Sequence, residues 1–73
     1  MRINFDKKAD ALYIRFSEEK YFESGELRER VILDLDKSGK VIGLEILDVS
    51  KNLPKEAMNK ISFELLEKQA LHA

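Results

Sequence analysis

Oxygen-bearing side chains recur between residues 34 and 45 at the spacing of a calcium-binding EF-hand loop. The first, third, fifth and twelfth positions of such a loop carry oxygen ligands, and the sixth carries a glycine that permits a sharp turn. In this chain the ligand positions are filled by Asp34, Asp36, Ser38 and Glu45, and the glycine position by Gly39. Carboxylate and hydroxyl oxygens are the ligands that Ca²⁺ prefers, so one hypothesis is a calcium-binding module.

The residues that flank this segment favour a different interpretation. An EF-hand loop lies between two helices, whereas residues 31–35 before the turn and residues 41–47 after it alternate with the period of a strand. Asp36 can accept nearby backbone N–H groups, and Gly39 can adopt a positive φ, so the residues between them suit a tight turn. We therefore favour a β-hairpin, in which Glu45 is a charged strand residue and no metal or other cofactor is needed.

Other side chains with catalytic potential are few and scattered. The chain has no cysteine, so it has neither thiolate chemistry nor disulfides, and its single histidine, His72, is next to last in the chain. A lone histidine near a fraying terminus is a poor general base and a poor metal site. Asp6 and Asp10 could pair as carboxylates, but acids that form turns are far commoner. The sequence therefore predicts a protein that is not an enzyme.

The composition predicts one small domain over residues 1–73 with almost no net charge. Its 13 basic and 14 acidic residues leave a net charge of −1, which provides no basic field for nucleic acid. No segment reaches the roughly 20 apolar residues of a membrane span, and no signal-peptide pattern opens the chain. We expect a cytoplasmic protein that binds no membrane and, on its own, no nucleic acid. A chain this short has a thin core, which a partner subunit would help to complete.

Alternating apolar residues predict an antiparallel sheet over residues 1–47. A first hairpin is predicted over residues 2–5 and 11–16, and a second over residues 29–35 and 41–47. The polar residues 17–27 between the two hairpins are predicted to form a loop or an irregular edge of the sheet. The expected fold is α+β: a four-stranded antiparallel β-meander with one C-terminal α-helix packed on one of its faces.

The C-terminal helix is predicted over residues 54–70. Pro54 suits the first helical position, where its missing N–H costs nothing, and Glu56 then lies in the first turn, where the helix dipole favours an acid. One stripe of the helix would carry Ala57, Met58, Ile61 and Leu65. Residues 61–65 also alternate, so a fifth strand remains the alternative there.

A helix on one face of the sheet would leave the opposite face open. That face combines aromatic, aliphatic and charged side chains, contributed by Tyr13, Arg15, Ile32 and Glu45. Glu45 could form an ion pair with Arg15 or with a group on another subunit. A mixed surface of this kind suits an interface, so we expect these four residues to lie at the contact of a homodimer.

Three segments of the chain, taken in order, resemble a known prokaryotic family. They are Asp-x-x-x-Asp-Ala-Leu-Tyr-Ile-Arg-Phe at 6–16, Val-Ile-Leu-Asp-Leu-Asp at 31–36 and Gly-Lys-Val-Ile-Gly-Leu-Glu-Ile-Leu at 39–47. Over about residues 3–53 the chain resembles domain of unknown function 2283, although Phe5 stands where the family usually has Tyr. The resemblance implies a small sheet-plus-helix domain and no established reaction. It also implies an alternative function as an antitoxin-like partner of a small toxin. The leading prediction is a non-catalytic protein–protein interaction module that self-associates.

Overall fold

A computed structural model describes residues 1–67 of the chain, and within that range it shows a five-stranded antiparallel sheet with one short helix. The coarse α+β prediction is therefore confirmed. The strands are β1 Arg2–Asp6, β2 Ala11–Arg15, β3 Glu23–Arg28, β4 Val31–Leu35 and β5 Val41–Leu47, and the helix is α1 Val49–Asn52. No helix in this range is both long enough and apolar enough to cross a membrane.

The strands lie in the order β1-β2-β5-β4-β3, and every neighbouring pair is antiparallel. Both predicted hairpins are present, as β1–β2 and β4–β5. The predicted four-stranded meander is wrong in two respects, because β5 lies between β2 and β4, and because Glu23–Arg28 forms an additional strand in the predicted loop. All six residues of β3 are exposed. An edge strand with no buried face shows no apolar alternation, and its sequence therefore resembles a loop.

The helix predicted over residues 54–70 is also wrong for its described part, and residues 68–70 lie outside the described residues. Two short turns replace it, in which the Ala57 N–H donates to the Pro54 carbonyl at 2.9 Å and the Asn59 N–H to the Glu56 carbonyl at 3.0 Å. Residues 60–67 form neither helix nor strand, so the alternative strand at 61–65 is absent as well. A short amphipathic helix depends on packing for most of its stability, and the residues that follow Asn59 do not pack closely on the sheet.

Asp10 positions the short helix α1. It adopts a left-handed conformation with φ 57°, which aspartate tolerates better than most residues. Its carbonyl accepts the Val49 N–H at 3.0 Å, and its carboxylate accepts the Ser50 N–H at 3.1 Å and the Ser50 hydroxyl at 2.7 Å. The carboxylate of Asp6 accepts the N–H groups of residues 8 and 9. Asp6 thus stabilises the turn between β1 and β2, as predicted, whereas the Asp10 carboxylate makes a long-range contact to α1.

The strand register sorts the side chains into two faces. Cross-strand neighbours define an apolar face with two rows, Ile3-Ile14-Leu44-Leu33 and Phe5-Leu12-Ile46-Val31. They define a polar face with the rows Arg2-Arg15-Gly43-Asp34-Ser24 and Asn4-Tyr13-Glu45-Ile32-Glu26. Of the apolar side chains in residues 1–67, only Leu12, Ile42 and Val49 are buried. The core is therefore a single thin layer beneath the sheet.

Candidate functional site

The four residues predicted to form an interface all lie on the polar face. Tyr13 is the cross-strand neighbour of Glu45, and Glu45 is in turn the neighbour of Ile32. Arg15 lies in the adjacent row, opposite Gly43. The structure thus brings the predicted residues together on one surface, and their role in an interface stays a prediction.

A buried carboxylate that the sequence analysis assigned to another role lies at the centre of this surface. Asp34 is only 2% exposed. Its Oδ2 accepts the Tyr13 hydroxyl at 3.0 Å, and its Oδ1 accepts the Ser24 hydroxyl at 2.7 Å. We call the group formed by Tyr13, Arg15, Ser24, Asp34 and Glu45 the Asp34 cluster. One signal for it exists in the sequence, because an acid within the apolar run of β4 requires polar partners.

Arg15 joins the Asp34 cluster to the loop after β2. Its Nη1 donates to the Tyr13 hydroxyl oxygen at 3.0 Å, so that hydroxyl accepts from Arg15 while it donates to Asp34. Its Nε and Nη2 donate to the carbonyls of Ser17 and Glu19. The ion pair between Arg15 and Glu45 is not formed in the described residues. Glu45 is the cross-strand neighbour of Tyr13, whereas Arg15 lies opposite Gly43. The acid that Arg15 approaches is Glu18, with Nε to Oε1 at 3.6 Å.

Gly43 allows the Asp34 cluster to form across β5. Strand β5 separates β2 from β4, so Tyr13 can reach Asp34 only by passing over the β5 backbone. A Cβ atom at position 43 would lie 2.9 Å from Asp34 Oδ2 and 3.3 Å from the Tyr13 hydroxyl oxygen. Both distances are too short for an unshifted side chain. The absence of a side chain at Gly43 is therefore a condition for the hydrogen bond between Tyr13 and Asp34.

The surroundings of Tyr13 and Glu45 favour the protonated forms of these two side chains. Burial raises the pKa of Glu45, and a hydrogen bond to Asp34 and the charge of Asp34 raise it further. Burial and the same acid also raise the pKa of Tyr13, with a smaller opposing effect from Arg15. Tyr13 therefore keeps its proton and acts as a donor. Because Asp34 has almost no exposed surface, the cluster can hold strands together but offers a substrate little access to that carboxylate.

Stability should depend on pH through Glu45. Its protonated form stabilises the fold below its usual pKa of 4.5, and this contribution is lost as pH rises through the raised pKa of the folded state. We expect Glu45→Gln to increase the free energy of unfolding near neutral pH by about 0.5 kcal/mol, a value reduced by solvent screening. Urea denaturation of both proteins across this pH range measures the difference. It should shrink as pH falls through the raised pKa of the folded state, and it should vanish below 4.5.

Glu26→Gln is the matched control for this experiment, because it removes the same charge from the exposed strand β3 on the same face. If the free energy of unfolding at neutral pH increases equally in both variants, the increase reflects net charge alone. That result would contradict the specific contact between Glu45 and Asp34.

The residues of the calcium-loop hypothesis build a hairpin turn. Oδ1 of Asp36 accepts the N–H and the hydroxyl of Ser38 and the N–H of Lys40, each at 2.9 Å. The Lys40 N–H, followed by the Ser38 hydroxyl, lowers the pKa of Asp36. Gly39 has φ 87°, as the predicted turn requires. Strands β4 and β5 flank the turn where an EF-hand needs helices, so the hairpin interpretation is confirmed.

A second candidate site is the apolar face together with the segment that follows the turns. On the apolar face, Ile3 is 40% exposed and Phe5 is 37% exposed. Residues 60–67, which we call the C-terminal arm, carry four apolar side chains that are more exposed still: Ile61 57%, Phe63 71%, Leu65 85% and Leu66 79%. Phe63 shares a shallow hollow with Met1 and Ile3. The chain thus exposes apolar surface on both its sheet and its arm.

Comparison with known proteins places the chain in a family without assigning an activity to it. A search of curated proteins found no match, and a search of solved structures also found none. The family model described as "Protein of unknown function (DUF2283)" matches residues 2–50, which include all five strands and the start of α1. The match covers more than half of the chain, and it confirms the resemblance seen in the three sequence segments. The chain belongs to the DUF2283 family.

Proposed function

We propose that this protein is a non-catalytic interaction module that forms a homodimer through the apolar face of its sheet. The observation that carries the proposal is that this face is only partly covered within the chain. Ile3 and Phe5 on its first strand are more than a third exposed, and Phe16, which follows β2, is 41% exposed. An open apolar sheet face is typical of a surface that another protein covers.

The accessible surface of the chain supports an interface of ordinary size. It measures 6139 Å², whereas size scaling gives about 4,700 Å² for a folded monomer of 8.5 kDa. The difference exceeds the roughly 800 Å² per partner that a standard interface buries. The C-terminal arm contributes four apolar side chains that are more than half exposed. The net charge of −1 provides little repulsion against a second copy.

The apolar face is a better candidate for this contact than the polar face. On the polar face, Tyr13, Arg15 and Asp34 already make hydrogen bonds within the chain. Few of their polar groups remain for a partner, and burying them further would gain little. On the apolar face, association removes exposed hydrocarbon from water, which is the main driving force of most interfaces.

We expect the wild-type protein to be a dimer at micromolar concentration and Ile3→Glu to weaken this dimer at least about tenfold, since the new carboxylate would have to lose its water. Light scattering over a dilution series measures the effect. Asn4→Glu is the matched control, because it places the same side chain at the next position of β1 on the polar face. That variant should remain dimeric.

Circular dichroism of both variants separates dissociation from unfolding. A wild-type protein that stays monomeric throughout the dilution series would overturn the proposed function. A folded Ile3→Glu variant that associates as tightly as Asn4→Glu would show that the apolar face is not the contact.

A further inference from the structure

The C-terminal arm has the pattern of a segment that packs on an apolar surface. Ile61, Phe63 and Leu65 are spaced by two, so they share one side when the arm adopts a strand-like conformation. Ser62 and Glu64 then share the other side. All of these side chains are exposed in the single chain. The arm therefore has one apolar side, and an opposite side on which Leu66 follows Ser62 and Glu64. Phe63 shares a hollow with Met1 and Ile3, yet Ile61, Phe63 and Leu65 all remain more than half exposed.

The arm leaves its own sheet at the edge formed by β1. Phe63 contacts the hollow beside Met1 and Ile3, and β1 is the first strand in the sheet order. Exposure then rises along the arm, from 57% at Ile61 to 85% at Leu65. Beyond Phe63 the apolar side chains of the arm are thus more exposed than Phe63 itself, and Ile3 and Phe5 on the apolar face stay more than a third exposed.

We propose that in the homodimer each C-terminal arm lies across the apolar face of the other copy. This inference rests on the proposed function, and it names the segment that occupies the face. Eight residues in a strand-like conformation span about 26 Å, and the four spacings between five neighbouring strands span about 19 Å. One arm is therefore long enough to cross the whole sheet.

Exchange of the two arms forms a closed, two-fold symmetric contact. Each arm places Ile61, Phe63 and Leu65 on the partner's apolar rows and leaves Ser62 and Glu64 in water. Phe63 lies beside the apolar residues Met1 and Ile3 in the single chain, and it is 71% exposed there, so most of its surface is available to a partner. The exchange covers both exposed apolar regions of the chain in one step.

The first test removes the apolar side of the arm. The double variant Phe63→Ser/Leu65→Ser should weaken the dimer at least about tenfold in light scattering. The control Ser62→Ala/Glu64→Gln alters the opposite side of the same arm and should leave the association unchanged. If the first variant associates as tightly as the wild type while Ile3→Glu dissociates, the exchange is wrong and the proposed function stands. A monomeric wild-type protein would overturn both.

A mixing experiment shows on which copy the arm packs. Ile3→Glu has a damaged face and an intact arm, whereas Phe63→Ser/Leu65→Ser has the reverse. Neither variant can form an intact contact with itself, but a mixed dimer contains one intact arm on one intact face. We expect native mass spectrometry to detect the mixed dimer at concentrations where each variant alone is monomeric. If the mixture stays monomeric, the arm packs within its own chain and the exchange is overturned.

Discussion

Replacing Asp34 with alanine is expected to lower the free energy of unfolding by about 2–4 kcal/mol, because two hydroxyl donors lose their acceptor in a poorly hydrated site. Asp34 is 2% exposed and accepts hydrogen bonds from Tyr13 and Ser24. A small domain has a total stability of about 5–15 kcal/mol, so this single change removes a large share of it. Urea denaturation at a fixed protein concentration measures the loss.

Two further variants separate the contributions within the Asp34 cluster. Ser24→Ala removes a single hydrogen bond from the exposed strand β3 and should cost about 1 kcal/mol. Asp34→Asn keeps the shape of the side chain and one carbonyl acceptor, so its cost should lie between those of the two alanine variants. If Asp34→Ala stays within about 0.5 kcal/mol of the wild type, as ordinary surface substitutions do, the cluster does not stabilise the fold.

Gly43→Ala should be the second most damaging substitution, with a cost of about 1–3 kcal/mol from overpacking. The added Cβ would lie 2.9 Å from Asp34 Oδ2 and 3.3 Å from the Tyr13 hydroxyl oxygen. Neither atom can move away without lengthening the hydrogen bond between them. Gly25→Ala is the matched control, because a Cβ at that strand position has nothing within 4 Å. It should change stability very little.

A double-mutant cycle tests whether Gly43 acts through Asp34. In the Asp34→Ala background the closest clashing atom is absent, so Gly43→Ala should cost measurably less than it does in the wild type. If the two effects are simply additive, the glycine has another role.

Local features of the sequence predicted the elements whose stability is local. The β4–β5 hairpin was predictable because Asp36 and Gly39 form its turn through contacts with their own neighbours. The β1–β2 hairpin was predictable for the same reason, through Asp6. In each case the residues that determine the structure are adjacent in sequence.

Elements that depend on distant partners were not predicted. Strand β3 forms by backbone pairing with β4 and has no apolar side to mark it. The position of β5 between β2 and β4 depends on which strands meet, and alternation within a strand contains no such information. The predicted C-terminal helix had a suitable stripe, but it needed a surface to pack on. The Asp34 cluster combines residues from β2, β3, β4 and β5, and the sequence revealed it only as an unexplained acid in an apolar strand.

The contact over Gly43 also helps to determine the register in which the two halves of the sheet pair. Within residues 1–67, the backbone pairing of β2 with β5 joins the β1–β2 hairpin to the β3–β4–β5 unit. A slip of one residue in that pairing would place Ile42 or Leu44 at the crossing point, where the Tyr13 hydroxyl could no longer reach Asp34. It would also turn the apolar rows of one half towards the polar rows of the other. Gly43 therefore favours the observed register of β2 against β5 over registers shifted by one residue.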